Sequence, residues 1–400
     1  MAVEADTGDH PMDALDPETS RNPQPGYKAL RDTSAVLHLD GVGHLVSTRA
    51  AVEQVLHDPG VFSSSVPIGS LGTERPLIPL NIDPPDHRKY RKLLDPLFAP
   101  QRMRLLEEPV TALVNELIDG FGDSGEIDFA KQFSIPFPSQ VFLTLLGLPL
   151  AELPSLLTMK DGIIRPGHVV SKPMRHPDSE AYQAATAQSI YEYFQQVLDQ
   201  RALEPRDDLL SKFLTAEVDG DRLSREQILD ICFLFLIAGL DTVSASLDCF
   251  YYYLAEHPDK RKEIVEDPSL IPAVVEELLR WETPVVAVAR IAATNTEIGG
   301  CPIKAGDPVM ALIGSANTDE SELADAQVVR WDRRANRHLG FGGGIHRCLG
   351  SHLARAELRI ALRVWHERIP DYQVKPGVEL AFTNGVRSLD TFPMLLGNSS

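Results

Sequence analysis

From residue 26 onward, stretches with apolar residues at three- and four-residue spacing alternate with short segments of strict apolar–polar alternation. The helical period covers residues 49–57, 87–97, 101–121, the region around 138–146, 180–202, 207–216, 272–281 and 351–369. The longest periodic stretch, 224–256, opens on a capping-box pair, Ser224 and Gln227, and closes at His257-Pro258. It predicts one continuous helix of about 50 Å, long enough to cross the molecule and build its core. Alternation in Val36-Leu37-His38-Leu39 and His44-Leu45-Val46-Ser47 predicts a hairpin around Asp40-Gly41, and 290–310 reads as short strands with a Gly299-Gly300 turn. Two stretches have no period. Residues 62–85 carry five prolines with Gly69 and Gly72, and residues 161–177 carry Pro166, Pro173 and Pro177 among Arg165, His168, Lys172, Arg175 and His176. The first reads as a long functional loop and the second as a flexible cover. Residues 1–25, rich in Asp, Glu, Pro and Asn, are expected to form a flexible tail before a single domain over 26–400.

Composition narrows the function classes. A chain of 400 residues, 43% of them hydrophobic, can bury a large core, and a net charge of −19 argues against nucleic acid as a general partner. The four cysteines, Cys232, Cys249, Cys301 and Cys348, show no paired spacing, so a reducing compartment is expected rather than a disulfide scaffold. The first residues contain no basic-then-apolar signal segment, and the longest apolar run, 231–240, is about half of the roughly 20 residues a span needs. The expectation is a cytoplasmic protein with no membrane anchor.

The candidate chemistry starts at Phe341-Gly342-Gly343-Gly344-Ile345-His346-Arg347-Cys348-Leu349-Gly350. Three glycines allow a backbone with positive φ to pass close to something flat and bulky. The helix that follows would set free N–H groups beside Cys348 and favour its thiolate. A lone thiolate suits axial ligation of haem iron, whereas zinc or an iron–sulfur cluster needs cysteine partners. The alternative is a buried structural cysteine. Phe341, Gly344, Cys348 and Gly350 fit F-x-x-G-x-x-x-C-x-G, and the segment resembles the haem loop of the cytochromes P450.

A second constellation, Ala238-Gly239-Leu240-Asp241-Thr242, lies inside the long periodic stretch. A glycine in a helix interior costs about 1 kcal/mol against alanine, which calls for a reason. Either a ligand approaches the backbone there and Asp241 and Thr242 pass protons to dioxygen, or two helices cross on small residues with the threonine back-bonded. The segment resembles the family's A-G-x-D-T-[TS], with Val243 in the last hydroxyl position. Glu277 and Arg280 match E-x-x-R, and Arg333-Arg334-Ala335-Asn336-Arg337-His338 matches R-x-x-N-x-H. The resemblance implies a salt bridge of Glu277, Arg280 and Arg333, with Arg334 in reserve because Val329-Arg330 replaces the usual Phe-Asp.

Carried over residue by residue, the resemblance implies haem b with Cys348 as axial ligand and the cofactor lying against Phe341, Gly342, Gly350 and Ala238. It implies propionate contacts from His87, Arg91, Arg290 and His338. The fold implied is mainly α, a triangular single-domain bundle around haem with small β-sheets. The reaction implied is insertion of one oxygen atom from O2 into an apolar small molecule such as a terpenoid, fatty acid, steroid or polyketide. Ile237, Ala238, Val285, Val286, Val288 and Val386 are the pocket candidates, nearly all aliphatic. Arg88, Lys89, Lys92, Arg337 and Arg347 form a basic island in an acidic chain, suited to an acidic ferredoxin. With no flavin or nicotinamide fingerprint, a separate ferredoxin reductase would bring electrons from NAD(P)H. C–C coupling, peroxide-driven oxygenation and non-catalytic haem-based ligand binding are the rival readings.

Overall fold

Long apolar faces demand partners, and here helices supply most of them. The computed structural model describes residues 17–66, 71–122, 124–218, 220–383 and 385–397; residues 1–16 of the expected tail and 67–70 of the expected loop lie outside these. The fold is mainly α, with the helices gathered around the pair Arg225–Gly239 and Thr242–Glu256. Residues 228–237 are buried without interruption, the mark of a helix apolar on all sides and surrounded by protein. The stretch Arg225–Glu256 is long and apolar enough to cross a membrane, yet 83% of its apolar window is buried inside the fold, where it serves as core.

This pair corrects the expectation of one continuous helix. The capping box at Ser224 and Gln227 is present, but the helix stops at Gly239 and restarts at Thr242. The cause is tertiary. A Cβ on Gly239 would meet the Phe142 ring at 2.5 Å, so the aromatic ring of a neighbouring helix, Pro136–Leu146, packs into the space that a side chain would need. Asp241 turns its carboxylate toward Lys160 and Arg165 instead of capping the second helix.

Below the break, Phe129, Phe133, Tyr251 and Trp365 form an aromatic cluster with ring centroids 4.4 to 6.3 Å apart. It fixes Thr242–Glu256 against Ser351–Arg368, the helix that follows the cysteine loop. The expected hairpin forms as Val36–Leu39 and Gly43–Val46 and belongs to a five-stranded sheet. Pro308–Ala311 joins it parallel to Gly43–Val46, and Val288–Ala292 and Phe62–Ser63 complete it in antiparallel register. Glu126–Asp128, Tyr372–Val374 and Pro393–Leu396 make a second sheet from three distant parts of the chain.

Two further expectations are corrected. Residues 17–25 are not tail: Pro17–Arg21 is a helix, and the buried Arg387 donates to the carbonyl oxygens of Ser20 and Arg21 while pairing with Glu282 at 2.8 Å. The stretch 161–177 is largely helical, as the end of Leu153–Ile164 and as Pro166–Val170. Leu156 and Ile163 anchor it in the core, and the Gln183 amide donates to the Ile163 carbonyl at 2.6 Å.

Candidate active site

Cys348 sits in a turn closed by its own N–H, which donates to the Phe341 carbonyl at 2.9 Å. Gly344 has φ +62°, and a Cβ there would meet the Leu56 carbonyl oxygen at 2.2 Å, so the loop passes that backbone only as glycine. Gly350 stands at the N-cap of Ser351–Arg368, and the Arg355 guanidinium lies 4.4 Å from the centre of the Phe341 ring. Cys232 and Cys249 are buried, but Cys348 is exposed, which removes the buried-structural reading. Protein nonetheless packs densely around the thiol. That crowding raises the thiol pKa, opposed by the Gly350 N–H and by the charges of Arg91, Arg347 and Arg355.

The helix break carries the other candidate residues. Ala238 is exposed directly after the buried run 228–237. The Thr242 hydroxyl donates to the Ala238 carbonyl at 3.1 Å. Asp241 is 4% exposed, and one of its oxygens accepts from Lys160 Nζ at 3.1 Å and Arg165 Nη2 at 3.3 Å. Arg165 also reaches Asp390 at 3.0 Å and Ser388 Oγ at 2.6 Å, tying this acid to the segment 385–390. Sequence reasoning missed both cations. Arg165 stood among the bases of the expected cover, with nothing local to aim it at Asp241. Gly239 is explained by Phe142, as a helix crossing, while the Thr242 hydroxyl, donating to a carbonyl, keeps its lone pairs for an incoming donor.

Beneath the cysteine loop, Glu277 is 1% exposed and accepts from Arg280, from Arg333 Nε at 2.9 Å, from Asn336 Nδ2 at 2.9 Å and from the Arg330 N–H at 3.0 Å. Arg333 is therefore the third member. Arg334 is exposed and takes no part.

A cavity of about 320 Å³ opens between the cysteine loop and the strand carrying Arg290. Arg290, His346, Ser64 and Asn81 line it together with the aliphatic Val66, Leu71, Leu77, Leu80 and Val288. Arg290 is 7% exposed, and its one hydrogen bond among the described residues is to the Ala289 carbonyl. The His87 and His346 rings lie 4.4 Å apart, tilted at 59°, and Nε2 of each is buried with no protein partner. Burial, with His87 and Arg290 nearby, pushes His346 down to about 3, so its imidazole is neutral. Burial, then Arg91, lowers His87 as well. An unpaired guanidinium and two orphaned ring nitrogens form a donor set for carboxylates, and with the exposed cysteine they fit a haem bearing propionates.

His338 does not belong to this set. Its Nδ1 accepts the Gly340 N–H at 3.0 Å, so Nε2 carries the proton and donates to Glu276 at 3.0 Å. Both nitrogens are taken by Gly340 and Glu276, whereas Nε2 of His346, which the sequence reading placed only in the loop pattern, is buried with no protein partner. Arg91 lies close by, held by the Arg347 carbonyl at 2.8 Å and by Asp95 at 2.7 Å. Of the pocket candidates, Val288 lines the cavity, Val285 and Val386 pair in an isolated bridge, and Ile237 and Val286 are buried. Arg88, Lys92, Arg337 and Arg347 are exposed, and Lys89 pairs with Asp221 at 3.2 Å.

Comparison with known proteins agrees with this geometry. The cytochrome P450 family model matches residues 42–365. The mycinamicin IV hydroxylase/epoxidase of Micromonospora griseorubida is 33% identical over 77% of this chain and 76% of its own length. The vitamin D(3) 25-hydroxylase of Pseudonocardia autotrophica is 32% identical over 98% of each chain. Among solved structures, CYP109E1 from Bacillus megaterium, in complex with testosterone, superposes with a TM-score of 0.87 at 28% identity, covering 96% of this chain and 100% of that one. The chain thus belongs to the cytochrome P450 family and is a haem monooxygenase of the bacterial type.

Proposed function

We propose that this protein hydroxylates or epoxidises an apolar, ring-containing small molecule of steroid, terpenoid or polyketide type, with Cys348 as the axial ligand of haem b. The observation that carries the reading is the cavity itself, which sets Arg290 and His346 among mostly aliphatic side chains. Such a lining holds a flat cofactor by its acidic edge and leaves an apolar chamber beside it. A relative named as a vitamin D(3) 25-hydroxylase, and a structural neighbour that holds testosterone, favour a polycyclic skeleton.

Haem, when bound, supplies the iron that activates dioxygen. The chain's residues do the rest. Cys348 carries the sulfur, and Gly350 N–H with Arg91, Arg347 and Arg355 favours its thiolate. Arg290, His87 and His346 hold the propionates, with Arg91 beside them. Asp241, kept in place by Lys160 and Arg165, takes protons from solvent and passes them toward the Thr242 hydroxyl. The aliphatic wall excludes water from the substrate side. Arg88, Lys92, Arg337 and Arg347 face outward as a docking island for an acidic ferredoxin, fed by its reductase from NAD(P)H, in the cytoplasm.

The test is spectroscopic. Dithionite-reduced holoenzyme with carbon monoxide is expected to show a strongly red-shifted Soret band that Cys348→Ala lacks, and testosterone is expected to shift ferric wild type from low to high spin. A carbon monoxide band typical of histidine ligation in fresh wild type would overturn the ligand assignment. A thiolate band with no spin shift for testosterone, a linear terpenoid or a macrolactone would overturn the substrate class.

A further inference from the structure

Away from the cavity, three titratable side chains from distant parts of the chain meet beside the five-stranded sheet. His44 lies on the strand Gly43–Val46 and is 4% exposed. Its Nε2 is 3.1 Å from Asp307 Oδ2, and its Nδ1 is 3.9 Å from Cys301 Sγ. Cys301 opens the second strand of the hairpin Thr296–Ile298 and Cys301–Ile303, while Asp307 directly precedes Pro308–Ala311, the strand that pairs with Gly43–Val46. None of the three lines the cavity beside the cysteine loop.

The contacts fix the tautomer of His44. Asp307 Oδ2 also accepts the Lys304 N–H at 2.9 Å, and that bond, followed by the one from His44, holds the carboxyl below its ordinary range. An ionised carboxylate only accepts, so Nε2 of His44 carries the proton and donates to it. In the neutral ring the Nδ1 lone pair is then left facing the thiol. His38 also touches His44, with ring centres 4.7 Å apart; it is exposed and lies 3.5 Å from Asp40.

The sulfur can be reached from outside. Cys301 is half-buried where Cys232 and Cys249 are buried, and its Sγ also lies 3.9 Å from the Pro302 carbonyl oxygen. A Cβ on the preceding Gly300, at φ +82°, would meet nothing within 4 Å, so the chain beside the sulfur borders open space. A thiol, a base facing it and an acid that orients the base make the ordered set of an activated nucleophile. At 3.9 Å the thiol and the imidazole form a loose pair, which tightens as the sulfur moves onto its electrophile.

We propose that Cys301 is a thiol-modification site for low-molecular-weight disulfides such as oxidised glutathione, with His44 as the base and Asp307 as its positioning residue. Cys301 Sγ attacks one sulfur of the disulfide and His44 Nδ1 takes the thiol proton. The disulfide's S–S bond breaks as the new one forms. The departing thiolate receives the proton back from His44. Cys301 is thereby oxidised to a mixed disulfide and the other half of the reagent is reduced to a thiol, with no further oxidant needed.

The test incubates wild-type, His44→Gln and Asp307→Asn holoenzymes with oxidised glutathione and follows the peptide carrying Cys301 by mass spectrometry. At neutral pH the wild type is expected to form the mixed disulfide, and both variants to form it about tenfold more slowly, with their carbon monoxide spectra unchanged. The gap should close at a pH well above the ordinary cysteine value of about 8.5, where the thiolate forms without a base. Should His44→Gln fail to fold, Asp307→Asn decides alone, since its side chain is 33% exposed and asparagine keeps an acceptor for the Lys304 N–H. No adduct at Cys301, or equal rates in all three proteins, would overturn the proposal. So would a gap that persists at high pH, because it would mark lost access to the sulfur and not a lost base.

Discussion

Glu277 shows how much of the site one buried carboxylate holds. Its oxygens face two guanidiniums, and each guanidinium continues outward to backbone carbonyls: Arg280 to those of Asn317, Ala326 and Val328, Arg333 to those of Ala324, Asp325 and Val328. The loop before the cysteine is therefore strung on these side chains. Removing Arg333 takes charge-assisted hydrogen bonds from a buried carboxylate that keeps Arg280, which costs about 1.5–3 kcal/mol. Arg333→Ala is expected to lose that much in urea unfolding and to release haem more readily, whereas the exposed Arg334→Ala should stay within about 0.5 kcal/mol of wild type. Equal effects of the two would break the assignment. Replacement of Phe-Asp by Val329-Arg330 does no harm because Arg330 contributes its N–H to Glu277 and pairs its side chain with Asp325 and Asp332. The same neighbourhood marks where a motif stops being informative. Glu276 and Glu277 are adjacent in sequence yet point to different partners, and Glu276 is what turns His338 away. Burial works against its charge, but His338 and Arg355 outweigh it and hold Glu276 at about 2. No pattern of residue types contains that direction.

Helices were legible where one face is apolar and the other wet. Residues 49–57 and 351–369 were read within a residue of Arg49–His57 and Ser351–Arg368, because their periodicity records a core on one side. The break at Leu240 and Asp241 was not legible, since both halves are equally apolar, no proline marks it, and its causes lie on other helices. Strands such as Glu126–Asp128 and Pro393–Leu396 were missed for a like reason: three or four residues pair across more than half the chain with no local signal. If the Phe142 ring is what Gly239 accommodates, alanine there gains about 1 kcal/mol of helix propensity and pays about 1–3 kcal/mol for overpacking. Gly239→Ala should therefore destabilise wild type but become neutral or stabilising in a Phe142→Ala background. A double-mutant cycle by urea unfolding reads the coupling, and simple additivity of the two changes would mean that something else breaks the helix.

Across the whole molecule, the helices meeting at the aromatic cluster bury ionisable groups of opposite kind, Asp248 and His366 among them. Asp248, which accepts from Ser134 Oγ and the Leu389 N–H, is raised by burial to about 7. His366, bonded to the Leu362 carbonyl and the Tyr372 hydroxyl, is lowered by burial to about 4. For Asp248 the folded state binds the proton more tightly than the unfolded chain does, so its contribution to stability falls as pH rises from about 4 to about 7. For His366 the unfolded chain binds the proton more tightly, so stability falls as pH drops from about 6.5 to about 4. Each slope is roughly 1.4 kcal/mol per pH unit, and the two have opposite signs over about 4 to 6.5. Together they nearly cancel, leaving the pair's contribution flat in that window and falling slightly near neutrality. Asp248→Asn keeps an acceptor for the Leu389 N–H and removes one slope, so its thermal midpoint relative to wild type should rise steadily from pH 4 to 7. His366→Gln should show the reverse trend, its midpoint relative to wild type falling as pH rises from 4 to 6.5. Parallel curves for wild type and Asp248→Asn would mean that Asp248 is already ionised throughout this range. The core would then have to stabilise an anion that, among the described residues, meets only a serine hydroxyl and one backbone N–H, with Arg165 as the nearest favourable charge.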